Sequence, residues 1–130
     1  MKSFIFRPFM TKKILAIDDD PDILDAMRLV LEDEGYEIIT DRKGEYIKTL
    51  YAGKNELPDL IILDLLLSDK DGRAICKKLK SQKLTKHIPI IMISARTDKK
   101  KSALEIGANE FIEKPFQVNN FLKKIKEYLA

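Results

Sequence analysis

The sequence has little of the chemistry that disulfide-bonded scaffolds and zinc sites require. Its 130 residues include one cysteine, Cys76, and one histidine, His87. A single cysteine cannot form an internal disulfide, and these two side chains are too few for a typical zinc site. We therefore expect a reducing, intracellular setting and a cytoplasmic protein.

Long apolar runs are also lacking. The apolar stretch at residues 1–10 is shorter than the roughly 20 residues of a membrane-spanning helix, and Pro8 interrupts it. It has no small-residue cleavage pattern of a signal peptide. We expect residues 1–11 to be an N-terminal extension, residues 12–130 to be one domain, and the chain to have no membrane span.

The charges are abundant but mixed in sign. The chain is 35% charged and 45% hydrophobic, with a formal net charge of +3. Lysines concentrate in three runs, which could contact nucleic acid or an acidic membrane: Lys77–Lys80, Lys99–Lys101 and Lys123–Lys126. No arginine-rich or aromatic-interleaved stretch accompanies them, so we interpret them as solvated helix faces.

Five apolar runs alternate with helical patterns along the chain. The predicted strands are Lys13–Ile17, Tyr36–Thr40, Leu60–Leu63, Ile88–Ile93 and Glu110–Ile112. Apolar spacing predicts helices at 23–31, 44–51, 73–81, 99–106 and 118–129. Continuous isoleucine-rich strands that alternate with helices predict an α/β fold with a central parallel sheet covered on both faces.

Reactive side chains follow four of the predicted strands. Asp18 and Asp19 come after the first strand, Asp64 after the third, Ser94 after the fourth and Lys114 after the fifth. The second strand contributes nothing comparable. Because open parallel sheets carry their functional groups beyond the carboxyl ends of the strands, we expect these side chains at one edge.

Three clustered carboxylates repel one another unless a cation compensates them. Oxygen ligands favour Mg²⁺, with Mn²⁺ as an alternative. A carboxylate can also act as a nucleophile toward phosphorus, and the phosphoryl oxygens then need positive groups such as Lys114 and donors such as the Ser94 hydroxyl. The sequence has no glycine-rich nucleotide loop, so the phosphoryl donor must be another molecule.

Five motifs in order resemble the receiver domain of two-component response regulators. They are residues 14–22 (ILAIDDDPD), 60–64 (LIILD), 71–72 (DG), 90–95 (IIMISA) and 114–116 (KPF). The resemblance spans essentially everything after residue 12. It implies a doubly wound, flavodoxin-like fold with five helices and five strands in the order 2-1-3-4-5.

The resemblance also assigns the acceptor and the metal ligands. Asp64 matches the phosphoacceptor, and Asp18 and Asp19 match the acidic pair. Asp19 would bind the metal directly, Asp18 mainly through water, and the backbone carbonyl of Leu66 would complete the set with Asp64. Asp20, which precedes a proline, is predicted instead to cap the first helix.

Further positions match the family's switch. Ser94 matches the switch hydroxyl, Lys114 the phosphate-binding lysine and Phe111 the switch aromatic. The family's peptide bond at Lys114–Pro115 is cis, and we expect the same isomer here.

The chain departs from the family pattern beside the acceptor. Ser68 stands where the family usually has proline, and Leu66 and Arg96 occupy positions that modulate how water reaches the acyl phosphate. We hypothesise that bulky Leu66 and Arg96 lengthen the phosphorylated lifetime.

The resemblance implies a phosphorelay component that accepts a phosphoryl group from a sensor histidine kinase or a histidine phosphotransfer protein. We expect no DNA-binding domain after Ala130, and signalling to a separate partner through the fourth helix, fifth strand and fifth helix, about residues 98–128. We expect a signalling domain and not an enzyme. The alternatives are a receiver-like scaffold that is not phosphorylated and an aspartyl-phosphate phosphatase, which would need an acid where Leu66 stands.

Overall fold

A computed structural model describes residues 11–67 and 70–129 of the chain. Five parallel strands of these residues form one sheet: β1 (Lys13–Ile17), β2 (Glu37–Asp41), β3 (Leu60–Asp64), β4 (Ile90–Ser94) and β5 (Glu110–Glu113). Neighbouring strands follow the order β2-β1-β3-β4-β5, which confirms the predicted fold. The expected extension at residues 1–11, apart from Thr11, and the departure at Ser68 lie outside the described residues.

Five α-helices connect or follow the strands: α1 (Pro21–Asp33), α2 (Glu45–Tyr51), α3 (Gly72–Ser81), α4 (Lys100–Glu105) and α5 (Val118–Leu129). As predicted, Asp20 caps α1, because its carboxylate accepts the Asp22 N–H at 2.9 Å. Among the described residues no helix combines the length and apolarity needed to cross a membrane.

Most predicted bounds differ from the structure by one or two residues, and three of the differences concern local structure. β2 lies one residue further along and includes Asp41. β4 begins at Ile90 because the preceding residues form a turn, in which the Ile88 N–H donates to the Thr85 carbonyl and Pro89 offers no N–H. The helix predicted from Lys99 begins with a 3₁₀ turn at Thr97–Lys99 and continues as the short α4.

The core lies in two layers, one on each face of the sheet. Alternate residues of a strand point to opposite faces, so Leu15 and Ile17 of β1 join one layer and Ile14 and Ala16 the other. The first layer includes buried residues of α2, α3 and α4, and the second those of α1 and α5. All five residues of β3 are buried, which explains its continuous apolar run.

Candidate functional site

Three carboxylates meet at the edge of the sheet where β1 and β3 end. Ile17 pairs with Leu63 in the parallel register, so Asp18 and Asp64 follow at the same level. One carboxylate oxygen from each of Asp18, Asp19 and Asp64 lies within 4.8 Å of the other two. Asp18 and Asp64 are buried and Asp19 is partly exposed, so the cluster opens to solvent on one side.

Lys114 places a positive charge inside this cluster. Its ammonium Nζ lies 2.9 Å from Asp18 Oδ2 and 3.5 Å from Asp64 Oδ2. The backbone N–H of Lys114 donates to the Ser94 carbonyl at 2.9 Å, which fixes the start of this segment beside β4. The peptide bond between Lys114 and Pro115 is cis, the isomer that the resemblance implies.

The electrostatics single out Asp64. Burial and, next, the neighbouring charge of Asp18 raise the pKa of Asp64 to about 6, although Lys114 and the Leu66 N–H act in the opposite direction. That N–H donates to Asp64 Oδ1 at 3.3 Å. One ammonium group among three carboxylates leaves the cluster short of positive charge, so an added cation would relieve the repulsion.

The donor set fits a hard divalent cation. The ligands offered by the cluster are carboxylate oxygens without sulfur or imidazole, which suits Mg²⁺ or Mn²⁺ better than zinc. The partly exposed side of the cluster leaves room for the waters that Mg²⁺ usually retains.

Ser94 and Phe111 occupy the neighbouring strands β4 and β5. Asp64 pairs with Ile93, so Ser94 follows at the end of β4 one residue beyond that level, and its buried hydroxyl oxygen accepts the Arg96 N–H at 2.9 Å. Phe111 pairs with Met92 and is buried in the layer that contains α2, α3 and α4. The Arg96 guanidinium is held by the Asp98 carboxylate at 2.9 and 3.0 Å.

The chain beyond Asp64 turns back sharply against it. Leu66–Leu67 pairs antiparallel with Lys70–Asp71, and we call these four residues the short pair. Gly72 follows; its N–H donates to the Leu65 carbonyl at 2.7 Å, and a Cβ at this position would overlap the Asp64 carbonyl oxygen. This close approach is the physical reason for glycine in the 71–72 motif.

The structure adds a residue that the sequence analysis missed. Asp41 ends β2 at the same edge, contrary to the expectation that the second strand contributes nothing there. Its buried carboxylate accepts the backbone N–H groups of four residues at the start of α2, namely Lys43, Gly44, Glu45 and Tyr46. A short polar residue before a turn and a helix was the available signal.

Comparisons with known proteins agree with this geometry. The family model of the response regulator receiver domain matches residues 14–126. The chain is 38% identical to the alkaline phosphatase synthesis transcriptional regulatory protein PhoP of Bacillus subtilis over 92% of its own length and 49% of that protein. It thus spans about half the length of the curated relatives it matches.

Solved structures give the same result. A CheY-like response regulator receiver domain protein from Methanospirillum hungatei superposes with a TM-score of 0.81 at 34% identity, covering 92% of this chain and 94% of that one. The signal receiver domain of a histidine kinase from Syntrophus aciditrophicus gives 0.81 at 32% identity, covering 92% and 90%. The chain therefore belongs to the response regulator receiver domain family of two-component systems.

Proposed function

We propose that this receiver accepts a phosphoryl group on Asp64 from the phosphohistidine of a sensor histidine kinase or a histidine phosphotransfer protein. One observation carries the assignment of the acceptor. Both oxygens of the buried Asp18 are already engaged at 2.9 Å, by the Lys114 ammonium and by the Asp20 N–H, whereas the buried Asp64 lies beside both other carboxylates with its Oδ2 3.5 Å from Lys114. We also propose a cytoplasmic location, because the single cysteine, Cys76, is a buried free thiol, which is typical of a reducing compartment.

Mg²⁺, or Mn²⁺ in its place, would be held by Asp19 and Asp64, by Asp18 mainly through water and by the backbone carbonyl of Leu66. When bound, the ion supplies positive charge to the phosphoryl oxygens.

The chain's own residues supply the rest of the reaction. A carboxylate oxygen of Asp64 forms a bond to phosphorus as the phosphorus–nitrogen bond to the donor histidine breaks, and the imidazole leaves with that electron pair. The Lys114 ammonium and the Ser94 hydroxyl stabilise the charge on the phosphoryl oxygens. The chain assists both this transfer and the later hydrolysis of the acyl phosphate on Asp64. It is a phosphoacceptor and not a turnover enzyme.

The new charge then biases a switch. Ser94 now accepts the Arg96 N–H; as it turns toward the phosphoryl group, Phe111 moves into the space it vacates. We propose that the changed surface is that of α4, β5 and α5, and that a separate downstream protein binds it.

The test is labelling by a small phosphodonor. Wild-type protein incubated with Mg²⁺ and acetyl phosphate should gain one phosphoryl group per chain by intact mass, and Asp64→Asn should gain none. In Asp19→Ala, the labelling should no longer depend on added Mg²⁺. Label that persists on Asp64→Asn, located at another residue by peptide mapping, would contradict the assignment.

A further inference from the structure

A pocket lies between α2 and α3, away from the acidic cluster. Its volume is about 390 Å³, within the range of small-molecule sites, which is about 300–1,000 Å³. Ile47 and Tyr51 of α2 and Ala74 and Ile75 of α3 provide its apolar lining. Burial raises the pKa of Tyr51 to about 12, so this wall stays uncharged at neutral pH. The phosphorylation chemistry proposed above uses none of these residues.

The rim of the pocket is cationic. Lys48, Lys70 and Lys78 line it, and the Lys78 ammonium lies 4.2 Å from the centre of the Tyr51 ring. The one lining carboxylate, Asp71, is already engaged by the Arg73 guanidinium at 2.7 Å.

One further carboxylate approaches the rim. Glu45 lies 3.4 Å from the Lys48 ammonium and 4.0 Å from that of Lys70. Lys48 and Glu45 are both largely exposed, and an exposed pair of this kind holds its partners weakly. Lys78 has the aromatic face of Tyr51 as its described contact. Positive charge therefore remains available to a ligand at the mouth of the pocket.

We propose that this pocket binds a small amphiphilic organic anion, with an aromatic or medium-chain alkyl body and one carboxylate or sulfonate group. The apolar body would cover Ile47, Tyr51 and Ile75, and the anionic group would meet Lys48 and Lys78 at the rim. The volume of the pocket fits one such molecule and favours it over an extended polymer.

The pocket also contacts the segment that follows the acceptor. Its lining residues Lys70 and Asp71 form half of the short pair, whose other half begins two residues after Asp64. The Lys70 ammonium donates to the Lys43 carbonyl at 2.7 Å and so connects the short pair to the residues before α2. Because Lys70 and Asp71 line the pocket, a ligand bound there lies against the short pair beside Asp64. This link, unlike the pocket itself, rests on the proposed function.

The pocket is tested on metal-free, unphosphorylated protein. Anilinonaphthalene sulfonate is titrated by fluorescence, and octanoate and octanol are then compared as competitors at equal concentration. We expect saturable binding of one dye per chain, displacement by octanoate and little displacement by octanol.

Variants locate the site. Lys78→Glu should weaken dye and octanoate binding about ten-fold, because it reverses a charge at the rim. Lys77→Glu is the matched control, since it makes the same change on the same helix at an exposed residue outside the pocket, and it should bind like wild type. Ala74→Trp should block binding by filling the pocket, with thermal melting to verify the fold.

Three outcomes would overturn the site: no saturable binding, equal losses in Lys77→Glu and Lys78→Glu, or binding of an acidic peptide without any response to either small anion. The link is tested by repeating the titration with Mg²⁺ and beryllofluoride, where we expect a different dye affinity. Equal affinities in a protein that binds beryllofluoride would overturn the link alone. Failure of beryllofluoride to bind would count against the proposed function.

Discussion

Asp41 and Asp64 are the same residue type in nearly the same setting. Each is the last residue of its strand, at one edge of the sheet, on either side of β1. Their exposed fractions, 8% and 5%, are almost equal. Burial therefore cannot explain why one of them is structural and the other a candidate nucleophile.

Their hydrogen-bond partners differ. The Asp41 carboxylate accepts four backbone N–H groups at 2.8–3.2 Å, which occupy both of its oxygens. Among the described residues Asp64 accepts one, from Leu66 at 3.3 Å, and otherwise faces two carboxylates and Lys114. An acid whose lone pairs are used by amides holds the fold together. An acid such as Asp64, which has few hydrogen-bond donors and whose negative charge is repelled by neighbouring carboxylates, is available to bind a metal ion and to attack phosphorus.

The largest effect should come from removing Asp41, the acid whose oxygens are both hydrogen-bonded. Asp41→Ala leaves buried amide groups at the start of α2 without an acceptor, and hydrogen bonds to charged groups contribute about 1.5–3 kcal/mol each. We expect the free energy of unfolding in urea to fall by about 3 kcal/mol. Exposed Asp25→Ala is the control. A loss below that of the control would show that the amide bonds do not stabilise the fold.

Removing the unsatisfied acid should act in the opposite direction. Without Mg²⁺, Asp64→Asn should raise the free energy of unfolding by about 2 kcal/mol at pH 7.5, since it removes a buried negative charge that lies beside the charge of Asp18. Added Mg²⁺ should stabilise wild type and not the variant, which narrows the gap. Destabilisation by Asp64→Asn in metal-free buffer would contradict the comparison.

The pH dependence gives that prediction a sign. The pKa of Asp64 is raised in the folded state, to about 6, above its ordinary value near 3.9 in an unfolded chain. The folded protein is therefore penalised above pH 6 and not below about pH 4. The stability gain of Asp64→Asn should be full above pH 6 and should vanish as the pH falls to about 4.

The sequence alone predicted Asp64 as a residue of the site and missed Asp41. Asp64 follows a continuous apolar run, Leu60–Leu63, and its place in the parallel sheet brings it beside Asp18. Asp41 instead follows polar Thr40, so the apolar pattern ended one residue too early. Its role also depends on backbone N–H groups that only the turn into α2 aims at it. Helical periodicity likewise predicted α2 and α3 but not the space between them.

A smaller effect should follow from Lys114, which favours the charged form of Asp64 and competes with a metal for the same oxygens. Lys114→Met removes the ammonium that lies 2.9 Å from Asp18, so Mg²⁺ should bind about ten-fold more tightly by calorimetry. Lys101→Met, at an exposed lysine of α4, should change nothing. Weaker Mg²⁺ binding in Lys114→Met would mean that the lysine organises the ligands instead of competing with the ion.

The smallest effect concerns the access of water to phosphorylated Asp64. This question does not arise at Asp41, because amide N–H groups occupy its oxygens. Leu66 is 45% exposed beside Asp64, whereas the Arg96 guanidinium is held at Asp98. Of the two residues proposed to lengthen the phosphorylated lifetime, Leu66 should therefore matter more. Phosphate release from the phosphorylated protein should quicken several-fold in Leu66→Asn and less in Arg96→Ala. Asp98→Ala, which frees the Arg96 guanidinium to cover the phosphoryl group, should slow release. Unchanged release in Leu66→Asn would show that this side chain does not shield the acyl phosphate.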